Sequence, residues 1–136
     1  MPRLESYADS IGYSVAYEPT GSAALGYCDA TACRIVVAPD QPANARVRTL
    51  VHELAHALGV GYERYGREAA EVIVESAATI ACASAGLDTS GESVPYIASW
   101  GDGTTDALGQ YAAKVDELAG ELERACGIDT REAAGA

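Results

Sequence analysis

Leu50-Val51-His52-Glu53-Leu54-Ala55-His56-Ala57-Leu58-Gly59 is the stretch whose reading decides the fold. His52, Glu53 and His56 stand in the spacing H-E-x-x-H, and the chain's 2 histidines are both here. Residues four apart on an α-helix share a face, so both imidazoles point the same way, with a carboxylate beside them. That is the two-histidine half of a zinc site with a neighbouring general base. The pattern is short enough to arise by chance, and its flanks strengthen it. Leu50, Val51, Leu54, Ala55, Ala57 and Leu58 are apolar, which predicts a buried helix whose histidines face a cavity. Gly59 is the expected C-cap. The competing reading is a core helix whose histidines are merely hydrogen-bonded, each needing its own buried polar partner.

Upstream, this helix is expected to begin near Pro42 with Asn44 as N-cap, and Val47, Leu50, Val51 and Leu54 form its core stripe. Arg46 and Arg48 sit early on it, against the preference for acids there. Before it, Leu4, Tyr7, Ala8 and Ile11 recur at helical spacing and predict a short helix closed by Gly12. Tyr13–Tyr17 alternates and reads as a strand. Ala24–Cys28 and Cys33–Ala38 read as two more, joined by Asp29–Ala32 as a hairpin. The second of these, CRIVVA, is a candidate edge strand for laying down a peptide, or else a covered one.

Downstream, residues 59–66 form a linker, and a second helix is expected over Arg67–Ala85, apolar all round from Val72 and therefore buried, with Gly86 as its stop. Residues 87–103 are a polar connection anchored by Val94, Tyr96, Ile97 and Trp100. Thr105–Cys126 is an amphipathic surface helix with Leu108, Tyr111, Ala112, Val115, Leu118 and Leu122 on its apolar side. The tail after Gly127 is expected to fray.

A catalytic zinc of this type needs a third protein ligand and one open position. Glu63, Glu68, Glu71 and Glu75 are the candidates. Glu71 and Glu75 share a face of the second helix. Glu75 stands within an apolar run, where a carboxylate is costly unless paired or near a cation. Glu63 and Glu68 are expected to face solvent. Two imidazoles and a carboxylate form an N/O donor set that suits Zn²⁺. One acid would bind the metal and the other would hydrogen-bond an imidazole N–H and fix its orientation. Glu53 would take a proton from water as it attacks a polarised carbonyl.

The 136 residues fit a single domain large enough for a core. A net charge of −11 argues against sequence-independent duplex DNA binding and against an anionic membrane surface. No apolar run spans a bilayer and no signal peptide is visible, so a cytoplasmic protein with reduced thiols is expected. The 4 cysteines, Cys28, Cys33, Cys82 and Cys126, fit no cysteine-based zinc pattern.

HELAH followed by Glu71-Val72-Ile73-Val74-Glu75 resembles the zincin metallopeptidases of the gluzincin type. Between about Gly26 and Trp100, the segments GYCDATACRIVVAPD, TLVHELAHAL, EVIVESAATIACASAGLDTS and PYIASW look more closely like the ImmA/IrrE family and the metallopeptidase domain of ArdC-like antirestriction proteins. The resemblance implies a compact zincin fold: a small twisted sheet, the active-site helix and a second helix carrying the third ligand. With the elements read above, the expected fold is an α+β, zincin-like domain with a three-stranded sheet, a second buried helix and a C-terminal amphipathic helix. The resemblance maps Glu71 to the third zinc ligand and Glu75 to the outer acid, with the reverse as runner-up. It implies a peptide or protein substrate and an oxyanion donor among Tyr62, Tyr65 and Tyr96. The chain departs from such relatives at Ile73, where many have another Glu. It also shows no counterpart of the N-terminal DNA-binding domain of full-length ArdC-like proteins, which makes nucleic acid an unexpected partner. The alternative function is a non-catalytic, zinc-stabilised binding module of a mobile-element or antirestriction system.

Overall fold

The computed structural model describes residues 2–59, 66–86 and 105–127. The order of elements is α1 (Pro2–Ser10), β1 (Ser14–Tyr17), β2 (Gly26–Asp29), β3 (Arg34–Val37), α2 (Ala43–Ala57), α3 (Arg67–Ser84) and α4 (Thr105–Ala125). The result is a small α+β fold. Among the described residues no helix is long and apolar enough to cross a membrane.

α1 forms where the apolar spacing predicts it: Leu4 and Ala8 are buried, and Tyr7 and Ile11 pack against the core. Gly12, at φ +86°, turns the chain out of the helix. The Tyr13 N–H then donates to the Ala8 carbonyl at 2.8 Å as the chain enters β1. β2 and β3 form the expected hairpin, in register from Gly26↔Val37 to Asp29↔Arg34. Asp29 belongs to the strand, and its carboxylate accepts from the Thr31 and Ala32 amides at 3.0 and 3.1 Å, tightening the turn.

The sheet order is β1-β3-β2, with β1 parallel to β3 and β2 antiparallel to it. This corrects the placement of CRIVVA at an edge. Ile35, Val36 and Val37 are fully buried, as a strand flanked on both sides and covered on both faces should be. The start of α2 needs a second correction. Pro42, not Asn44, occupies the N-cap position, and no side chain caps the helix. Proline's fixed φ presets the helical entry without that bond.

α2 carries three stripes. Leu50, Val51, Leu54 and Ala55 enter the main core with Ile35, Val37, Ile73, Val74 and Leu122. Thr49 and Glu53 face β2. His52 and His56, one turn apart, face α3. α3 packs between α2 and α4, and it ends as expected, with Gly86 at φ +87°. α2 likewise ends with Gly59 at φ +106°, its N–H donating to the His56 carbonyl.

β2 rides close on α2 because residue 26 has no side chain. A Cβ there would lie 2.6 Å from Thr49 Cγ2, 2.9 Å from the Val36 carbonyl oxygen and 3.5 Å from Glu53 Cγ. A polar staple holds the same contact. The Thr49 hydroxyl donates to Gln41 Oε1 at 2.8 Å, and Gln41 Nε2 donates to the carbonyls of Leu25 and Ala38 at 3.1 and 2.9 Å. Gly26→Ala is therefore expected to destabilise the fold by about 1–3 kcal/mol through overpacking, read as a lower denaturant midpoint and relieved in part by Thr49→Ser. A Gly26→Ala protein as stable as the parent would contradict the close approach.

Candidate metal centre

α2 and α3 face each other with complementary ladders. On α2 the positions are Arg48, His52 and His56, each four residues apart; on α3 they are Glu71 and Glu75. Because the helices run antiparallel here, the side chains interleave. Arg48 Nη2 donates to Glu75 Oε2 at 2.7 Å, and Glu75 Oε1 lies 2.7 Å from His52 Nδ1. His52 Nε2 lies 3.4 Å from Glu71 Oε2, and His56 Nε2 lies 3.4 Å from Glu71 Oε1. The two imidazole rings meet edge-on, with centroids 5.2 Å apart. His52, His56 and Glu71 each offer a donor atom within 4.8 Å of the other two, and the group could hold a metal ion.

The contacts differ in kind. The 2.7 Å contact assigns a proton to His52 Nδ1, donated to Glu75, and turns Nε2 toward Glu71. The two 3.4 Å contacts are too long for charge-assisted hydrogen bonds, yet bring nitrogen and carboxylate lone pairs face to face. A positive charge between them, whether protons or a metal ion, satisfies that arrangement.

Burial works against a charged His52. The contact with Glu71, the hydrogen bond to Glu75 and the charges of Glu53 and Glu75 outweigh it and raise the imidazole to about 9. A metal ion at Nε2 would have to displace that proton. Glu53 is 8% exposed. Burial raises its carboxyl above the ordinary value, His52 and His56 pull it down, and the Glu71 and Glu75 charges add to the rise. A carboxylate raised in this way is a stronger base than a solvated one.

A cavity of about 390 Å³ opens over these groups, lined by Gly26, Tyr27, Cys28 and Ala30 from the β2 side and by His52, Glu53, His56 and Glu71 from the helices. A second hollow, of about 450 Å³, adjoins it beyond Glu71, with Gln41, Arg48, Thr49 and Glu75 in its wall.

The structure thus brings His52, Glu53, His56, Glu71 and Glu75 together and leaves Glu68 exposed. Tyr62, Tyr65, Tyr96 and Glu63 lie outside the described residues. Three contributors were not singled out from sequence. Arg48 was visible only as a cation in the first half of a helix, without its partner Glu75. Gln41 and Gly26 carried no local signal. Comparison with protein-family models, with curated proteins and with solved structures returned no match.

Cys28 and Cys33 are free thiols, the first half-buried in the cavity wall and the second exposed. Burial pushes the Cys28 thiol up to about 11, the Glu53 charge adds to the rise, and a hydrogen bond with Tyr13 offsets part of it. Iodoacetamide at mildly alkaline pH should accordingly modify Cys33 at least about tenfold faster than Cys28, since the thiolate is the reactive form. Glu53→Gln should quicken Cys28. Equal rates at the two thiols, mapped by peptide mass spectrometry, would contradict this placement of Cys28.

Proposed function

We propose that this chain is a zinc-dependent metallopeptidase of zincin-like architecture, acting in the cytoplasm on a peptide or protein substrate. His52, His56 and Glu71 hold the zinc, Glu53 is the general base, and Glu75 orients His52. One observation carries the reading. Zinc–nitrogen and zinc–oxygen bonds of about 2.0–2.2 Å at tetrahedral angles set neighbouring donors about 3.4 Å apart. Glu71 Oε2 stands 3.4 Å from His52 Nε2 and Glu71 Oε1 stands 3.4 Å from His56 Nε2, and one donor atom from each of the three residues lies within 4.8 Å of the other two. The donor set is also the right one chemically, two imidazoles and one carboxylate for a borderline ion.

Zinc bound there would supply Lewis acidity, polarising a carbonyl and acidifying water. The chain's own groups supply the rest. Glu53, on the cavity wall one residue from His52, accepts the proton of the attacking water and returns it to the departing amine. Glu75, with its oxygen on His52 Nδ1, keeps Nε2 directed at the site. Among the described residues β2 pairs only with β3. Its other side borders the cavity, so an extended peptide adding to β2 would bring a backbone carbonyl past Glu53. That role belongs to β2 rather than to the central strand β3.

Glu53→Gln tests the reading in a peptide-library cleavage assay. The variant should keep its zinc and lose at least about 100-fold in turnover, the contribution ordinarily made by a general base. Full activity in Glu53→Gln would overturn the assigned role. A zinc-replete parent protein that cleaves no peptide would instead favour the non-catalytic binding module.

A further inference from the structure

The proposed ligand set explains why His52 and Glu71 meet, but not why a cation stands at residue 48. Arg48 lies one turn before His52 on the same face of α2, and its guanidinium is directed at Glu75 rather than at solvent. The pair is well covered, with side chains 17% and 13% exposed. Arg48 stands in the second turn of α2, past the first turn where the helix dipole acts, so a well-covered guanidinium there needs a local reason. The reason lies in the two oxygens of Glu75. Oε2 takes Arg48 Nη2 at 2.7 Å while Oε1 takes His52 Nδ1 at 2.7 Å. A carboxylate gripped at both oxygens cannot rotate about its terminal torsion without breaking one of the two bonds. The imidazole bonded to it is then held as well.

We propose that Arg48 is a positioning residue for the zinc site: by clamping Glu75 it fixes the rotation of the His52 ring and keeps Glu75 from competing with Glu71 for the metal. Glu71 and Glu75 are one helical turn apart on the same face of α3, chemically identical and both directed at His52. Arg48 distinguishes them, because its guanidinium reaches Glu75, whereas the oxygens of Glu71 lie at the two Nε2 atoms. The proposal rests on the metal reading above and adds the selection between the two acids.

Zinc affinity by chelator competition, together with the visible spectrum of the cobalt-substituted protein, tests it without any activity assay. Arg48→Met should bind zinc about tenfold more weakly, the scale expected when a partner outside the ligand set is lost. Its cobalt bands should also move. Arg48→Lys, which keeps the charge and loses the planar fork, should recover part of both. Because Arg48 acts through Glu75, Arg48→Met should cost no more than about twofold when added to Glu75→Gln. The double variant also removes the carboxylate charge from which Arg48→Met alone takes its guanidinium partner, so it guards against loss of fold. Unaltered affinity and cobalt spectrum in Arg48→Met would overturn the proposal, as would the same loss in both backgrounds. A parent protein that takes up neither zinc nor cobalt would overturn the metal reading itself, and this inference with it.

Discussion

The interaction on which the site depends is the interleaving of two charged ladders between facing helices. Arg48, Glu75, His52, Glu71 and His56 follow one another in space as cation, acid, imidazole, acid, imidazole, although the first and second members lie 27 residues apart in the chain. Each contact restricts the next. Arg48 fixes Glu75, Glu75 fixes one nitrogen of His52, and the other nitrogen is thereby aimed at Glu71. None of these side chains is fully buried and none is freely solvated. They occupy the intermediate zone in which electrostatic interactions are stronger than in water without the full desolvation cost of a dry interior.

The remainder of the fold holds that ladder in register. Leu50, Val51, Leu54 and Ala55 press α2 into the core against Ile73 and Val74 of α3, all fully buried, so the separation of the two helices is set by close-packed side chains. From the other side β2 is drawn onto α2 by the Gln41 staple and admitted by the absence of a side chain at Gly26. The cleft that results has a strand along one wall and the histidines and Glu53 along the other. The same closeness raises Glu53 and Cys28 above their ordinary titration ranges, since both share a poorly solvated wall. Packing, electrostatics and the chemical character of the pocket are therefore consequences of one arrangement.

Much of this was legible in local patterns. The apolar stripe around His52 and His56 has the helical period, and glycines mark the ends of α1, α2 and α3. Glu71 and Glu75 were recognisable as partners of the histidines because two acids four residues apart, one inside an apolar run, need a cation or a donor nearby. What escaped were relations between distant segments. Strand order is set by pairing across the chain. The consecutive Ile35, Val36 and Val37, which fit a strand covered on both faces, do not by themselves distinguish the centre of a sheet from a covered edge. The N-cap was misplaced by two residues because Pro42 presets the turn as well as a capping side chain would. Arg48 was noted as an anomaly on its own helix and acquires its meaning only from Glu75 on the next one.

The central claim is that two imidazoles from α2 and one carboxylate from α3 form a single metal site, with Glu71 and not Glu75 as the carboxylate. Its most direct test is metal content by mass spectrometry on the freshly purified parent protein, Glu71→Ala and Glu75→Ala. The account predicts about one zinc per chain in the parent, loss of that zinc in Glu71→Ala, and weakened but measurable binding in Glu75→Ala. A metal-free parent, or zinc retained in Glu71→Ala and lost in Glu75→Ala, would contradict it.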